Sequence, residues 1–106
     1  MTRVISMPTD QTICVDLGHK AVAAENPIDK RVFFLNAPEL KALKQSEEHL
    51  VLQAPSDHGY RLGDILYGIP YHICPTVNLY EAYHVVEQHR AVGQWPIDAR
   101  QRFYVY

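Results

Sequence analysis

Cysteine is scarce: only Cys14 and Cys74 occur in 106 residues, which excludes a small secreted scaffold stapled by several disulfides. The two could in principle pair, but an intracellular domain with so few is read as reduced, leaving Cys74 free to ligate. Long apolar runs are missing as well, and none approaches the length of a membrane-spanning helix. The opening Met1-Thr2-Arg3-Val4-Ile5-Ser6-Met7-Pro8 lacks the apolar stretch of a signal peptide, so the expected location is the cytoplasm. Charge of one sign is not concentrated anywhere. With a net charge of -2 and Lys and Arg scattered along the sequence, the chain carries no electrostatic footprint for nucleic acid or an anionic membrane. It also has no internal repeat, no low-complexity stretch and no linker.

What is present is ordinary globular composition, 47% apolar and 21% charged. Residues 1–106 form one domain with room for a single modest core. Arg3 to Met7 and Thr12 to Asp16 are rich in β-branched residues and flank the turn composition Pro8-Thr9-Asp10-Gln11, which predicts an opening hairpin. Gly18 breaks the second strand, and Ala21 to Pro27 is a connection without a clear period. Arg31 to Asn36 reads as a third strand and His49 to Leu52 as another. The segment from Pro38 to Leu52 is ambiguous: Pro38 at a first-turn position, followed by Glu39, Leu40, Leu43 and Lys44, suggests a helix, and a helix is expected at most between Ala37 and Glu47. Gly63-Asp64 leads into an extended Ile65-Leu66-Tyr67 and then a strand through His72. Tyr83 to Glu87 and Ala91 to Ile97 flank Gln88-His89-Arg90 as a hairpin. Short strands spaced by about ten residues predict a mainly β fold, a small antiparallel β-barrel or sandwich.

The run Pro70-Tyr71-His72-Ile73-Cys74-Pro75-Thr76 carries the chemistry. On a strand, alternate side chains share a face, so an imidazole nitrogen and a thiolate at positions i and i+2 can converge on one zinc ion. Two ligands are fewer than the four of a closed structural site. A metal held by His72 and Cys74 would keep open positions and act in catalysis rather than as a staple. The competing reading is a core cysteine beside a polar histidine.

Several stretches, taken in order, resemble the carboxy-terminal domain of the D-serine dehydratase and D-threonine aldolase family. They are Val4-Ile5-Ser6-Met7-Pro8, Asp16-Leu17-Gly18-His19-Lys20-Ala21, Ser46-Glu47-Glu48-His49, Gly63-Asp64, Ile69 through Leu79, and Trp95-Pro96-Ile97-Asp98-Ala99-Arg100. The family comprises pyridoxal-phosphate enzymes of the alanine-racemase type. The resemblance implies a β domain that packs against a larger TIM-type barrel, with His72 and Cys74 binding zinc near the cofactor. It implies a lyase acting on a D-β-hydroxy amino acid, by dehydration of D-serine or by aldol cleavage of D-threonine, in a homodimer. The barrel that carries the Schiff-base lysine and the phosphate loops is absent from this chain. It would be supplied in cis or in trans, and the chain alone is expected to be inactive. A domain cut from a longer enzyme, a split-gene product and a stand-alone remnant all fit, as does a non-catalytic assembly module.

Four further residues are candidates for lining a composite active site. Asp16 and Lys20 straddle Gly18, where the simpler reading is a turn closed by a local ion pair. Glu48 and His49 are candidates to orient His72, since metal-bound histidines usually have such a partner. Lys30, Lys41 and Lys44 read as solvated surface amines. Trp95, Tyr80 and Tyr83 read as core or interface aromatics. Arg100 reads as an anchor of the carboxy-terminal strand through an ion pair or, alternatively, as a substrate-carboxylate contact, and His19, His58, His84 and His89 have no evident partner in the sequence.

Overall fold

The computed structural model describes residues 1–105. Strand β1 (Thr2–Thr9) turns at Asp10 and Gln11 into β2 (Thr12–Val15), with the Thr9 hydroxyl bonded to the Thr12 hydroxyl at 2.8 Å across the turn. The remaining strands are β3 (Val32–Phe34), β4 (Lys41–Gln45), β5 (Leu50–Gln53), β6 (Ile65–Leu66), β7 (Gly68–Pro70), β8 (Ala82–Glu87) and β9 (Arg90–Pro96). Five of them make one curled antiparallel sheet in the order β4-β5-β2-β1-β6, half of a barrel. Two antiparallel ribbons, β3 with β7 and β8 with β9, complete the mainly β fold that the spacing of the strands predicts.

The core is built on the central strands of the half-barrel. Ile13 and Val15 of β2 lie opposite Leu52 and Leu50 of β5, and all four are at most 1% exposed. Val4, Phe34, Ala37, Ala54 and Leu66 close the cluster. As the central strand, β2 buries Ile13, Cys14 and Val15 in succession instead of alternating, as expected of a strand covered on both sides.

The expected helix between Ala37 and Glu47 is not formed. Lys41 to Gln45 is β4, paired antiparallel with β5 from Lys41 opposite Gln53 to Gln45 opposite Leu50. The residues that pack on the core there are Leu40 and Ala42, two apart, and the Leu40/Leu43 helical spacing is unused because Leu43 points to solvent. Cross-strand pairing outweighs local helix preference.

The strand expected through His72 is also corrected. β7 ends at Pro70, His72 has extended dihedrals as the amino-terminal cap, and a short helix α1 (Ile73–Val77) follows. Pro75 is the third residue of α1, inside the first turn, where a missing backbone N–H costs nothing. Same-face strand geometry therefore does not apply to His72 and Cys74.

At the far end, β8 and β9 are joined through Gln88 and His89, whose φ angles of 47° and 64° are those of a two-residue type I′ turn. Every residue of β9 is exposed, Trp95 at 66% among them.

Candidate functional site

The site grows out of two loops that the half-barrel holds in place. Gly18 sits against the β4–β5 turn so closely that a Cβ there would lie 1.9 Å from the Glu47 carbonyl oxygen. This approach lets His19 N–H donate to Ser46 O at 2.9 Å and Lys20 N–H to Glu47 O at 3.1 Å. Only glycine permits it, for reasons of space and not of dihedral angle. The loop then folds back under α1. Buried Thr76 accepts a hydrogen bond from Ala23 N–H at 3.1 Å and donates to the His72 carbonyl at 2.8 Å, while Tyr80 Oη donates to Ala21 O at 2.7 Å. Burial pushes the Tyr80 phenol above its usual range.

Just beyond, Arg31 ties the two segments together a second time. Its Nε donates to Asn26 O at 2.8 Å, Nη1 donates to Gln45 Oε1 at 2.8 Å, and its carbonyl accepts from Tyr71 N–H at 3.1 Å. Glu25 lies between the anchored Ala23 and Asn26, and His72 directly follows the anchored Tyr71. As a result the Glu25 carboxylate Oε1 contacts His72 Nδ1. Both side chains are about half exposed, at 45% and 49%. Cys74, in the first turn of α1, is a free, exposed thiol. A groove of about 360 Å³ runs beneath α1, lined by Leu17, Val22, Pro70, Thr76, Tyr80 and Tyr83.

The other candidates fall into separate groups. Asp16 does not pair with Lys20. Its Oδ1 accepts from the Thr2 hydroxyl and, at 2.7 Å, from the Arg3 N–H. Burial works to raise the Asp16 carboxyl, but these two bonds outweigh it and hold the group below its usual range. Lys20 Nζ instead reaches Glu48 Oε1 at 2.8 Å and Glu47 Oε2 at 3.1 Å. Donating to these two carboxylates raises the ammonium above its usual range, and Lys20 in turn lowers Glu47. Glu48 is thus committed to Lys20, and the partner of His72 is Glu25, which lay in a stretch with no readable pattern. His49 contributes its carbonyl to the β4–β5 turn, accepting from Ser46 N–H at 2.9 Å. Lys30, Lys41 and Lys44 are exposed, in keeping with surface amines. Trp95 is exposed and not in the core, and among the described residues Arg100 forms no salt bridge.

Among the described residues, no group of three or more His, Cys, Asp or Glu side chains is placed to hold a metal. An imidazole with one nitrogen already engaged, two residues before a free thiol, nonetheless supplies donors of the kind zinc takes.

Comparison with known proteins agrees with this architecture. The family model described as "Putative serine dehydratase domain" matches residues 1–86. The 3-hydroxy-D-aspartate aldolase of Paracoccus denitrificans is 29% identical over 104 residues, covering 98% of this chain and 26% of that protein. The crystal structure of D-threonine aldolase from Filomicrobium marinum superposes with a TM-score of 0.77 at 24% identity, over 93% of this chain and 27% of that one. The last of these speaks to fold alone. In both relatives, this chain spans about a quarter of the length.

Proposed function

This chain belongs to the serine dehydratase domain family, and on that premise we propose that it is the zinc-contributing β domain of a pyridoxal-phosphate-dependent lyase acting on D-β-hydroxy amino acids. The supporting observation is the start of α1, where a half-exposed imidazole held by a carboxylate stands two residues before an exposed thiol. His72 and Cys74 would hold the metal, and the thiolate favours zinc over the harder magnesium or manganese. Zinc bound there supplies Lewis acidity toward the β-hydroxyl oxygen, a need that D-serine dehydration and aldol cleavage of the D-threonine type share.

The cofactor would be held by the other three quarters of a full-length enzyme. A lysine that captures an aldehyde must be available as the neutral amine, whereas Lys20 is kept protonated between two carboxylates. The role left to Lys20 is to brace the Gly18 loop against the β4–β5 turn. The β3–β7 ribbon and the residues flanking its strands leave Phe33, Leu35, Tyr67, Ile69 and Tyr71 in solvent, each at least 44% exposed. We assign that face to docking on the cofactor-binding domain, within a homodimeric enzyme.

Calorimetric zinc titration of the wild type against His72→Ala and Cys74→Ser tests the reading. Each variant is expected to weaken zinc binding at least about 10-fold, since each removes one of the two protein ligands. Equal affinity in all three proteins would return the pair to a polar histidine beside a free cysteine.

A further inference from the structure

We propose that Glu25 is a positioning residue that fixes the tautomer and orientation of His72, so that the imidazole meets its metal through Nε2; this rests on the assignment of His72 as a ligand. The carboxylate lies against Nδ1, so its negative charge favours the proton on that nitrogen, and the neutral ring then leaves its lone pair on Nε2. Metal-binding histidines are regularly held in this way by a carboxylate on the second nitrogen, which also makes the ligand more basic.

An adventitious surface pair would be the bland alternative, since such pairs contribute little and their side chains wander. The backbone argues against it. Glu25 is flanked by Ala23, bonded to buried Thr76, and by Asn26, bonded through its carbonyl to Arg31. His72 is flanked on one side by Tyr71, whose N–H is bonded to Arg31 O, and its own carbonyl is bonded to Thr76. The same two residues, Arg31 and Thr76, therefore anchor both halves of the pair. This connection over-determines the placement of two side chains that are themselves half exposed and contribute nothing to the core cluster. With its carboxylate engaged at Nδ1, Glu25 acts through His72 and is not a third ligand.

Two readouts test this on the chain as it stands. Long-range proton–nitrogen correlation NMR on protein labelled in the histidine rings reports the tautomer of metal-free His72 at alkaline pH, where the ring is neutral. The Nδ1–H form is expected in the wild type and in Glu25→Gln, whose side-chain oxygen can still accept, whereas Glu25→Ala should revert toward the Nε2–H form. Zinc titration should show Glu25→Ala weakened by about 10- to 100-fold, with Glu25→Gln between it and the wild type. An Nε2–H tautomer in the wild type, or zinc affinity unchanged in Glu25→Ala while His72→Ala loses it, would overturn the proposal and leave the zinc assignment intact. Unchanged affinity in His72→Ala would instead remove the zinc assignment, and this proposal with it. The wild-type tautomer measurement needs no variant to fold.

Discussion

Gly18→Ala is the substitution through which the fold can be tested most sharply. The added Cβ would lie 1.9 Å from Glu47 O, 2.1 Å from Glu47 C and 2.3 Å from Glu48 N, all backbone atoms that no rotamer change can clear. The loop and the β4–β5 turn must separate, and the bonds from His19 N–H to Ser46 O and from Lys20 N–H to Glu47 O go with them. Each bond contributes about 1 kcal/mol, and shifting backbone to clear the added Cβ costs about 1–3 kcal/mol more, for a gross loss of about 4 kcal/mol. Alanine also restricts the unfolded chain, which returns about 0.4–1 kcal/mol. The expected net destabilisation is about 3 kcal/mol, a large part of the stability of a domain this size. In urea, with a slope of about 1–3 kcal/mol per molar, the midpoint should fall by about 1–3 M. Two other glycines calibrate the measurement. A Cβ at Gly68 would meet Val32 Cγ2, the end of a side chain, at 2.6 Å, so Gly68→Ala should cost about 1 kcal/mol. At Gly93 nothing lies within 4 Å, and Gly93→Ala should stay within about 0.5 kcal/mol of the wild type. A midpoint for Gly18→Ala no lower than that for Gly68→Ala would refute the claim that backbone contact fixes this loop.

The remaining expectations follow from the core, the carboxylate network and the thiols. Leu52→Ala removes a side chain that is 0% exposed at the centre of the core cluster and should cost about 2–5 kcal/mol in the same urea assay. Burial opposes the Asp16 carboxylate, but the bonds from Thr2 and Arg3 hold its folded-state pKa below the ordinary 3.8, so it stabilises the fold above that pH. That contribution is lost as pH falls through the lower folded value, and Asp16→Asn should flatten the acid limb of the urea-midpoint profile; an unchanged limb would show that Thr2 and Arg3 do not act on it. Cys14 is buried and Cys74 exposed, so a thiol reagent should titrate one group in the native protein and two in denaturant. Fast reaction of both under native conditions would contradict the buried place of Cys14 in β2.

The parts of the fold that were legible in the sequence are those where a short-range pattern and the tertiary environment agree. The opening hairpin and the Gln88-His89 turn are examples, with apolar or β-branched runs on either side of turn residues. The segment from Ala37 to Glu47 is ambiguous in sequence because Leu40 and Leu43 fit a helical period, while the decisive partner, the β5 ladder, is not a local feature. At His72 the run Pro70-Tyr71-His72-Ile73-Cys74 has the composition of a continuous strand, yet β7 ends at Pro70 and α1 begins at Ile73. Pro75 was the available warning, since proline inside a first helical turn is favoured where proline inside a central strand is not. The choice of His72 and Cys74 came from residue type. Their surroundings, Glu25 above all, depend on how Gly18, Thr76 and Arg31 join distant segments, and no local period encodes that.

This separation of support from chemistry has a consequence for every experiment on the site. Glu25, His72 and Cys74 are exposed and lie outside the core cluster, so substitutions at these positions should leave global stability within about 0.5 kcal/mol. A loss of zinc affinity in those variants then reports the site itself and not a damaged fold. Gly18 is the counterexample, because its loop is bonded to the half-barrel at one end and leads through Ala23 to Glu25 at the other. Gly18→Ala should therefore disturb both properties, loosening the fold and releasing the Glu25 carboxylate from His72. If the His72 tautomer survives in that variant while the urea midpoint falls, the second anchor, through Arg31 and Asn26, suffices to hold the pair. If the tautomer is lost too, the contact between Gly18 and Glu47 is part of what aims the imidazole.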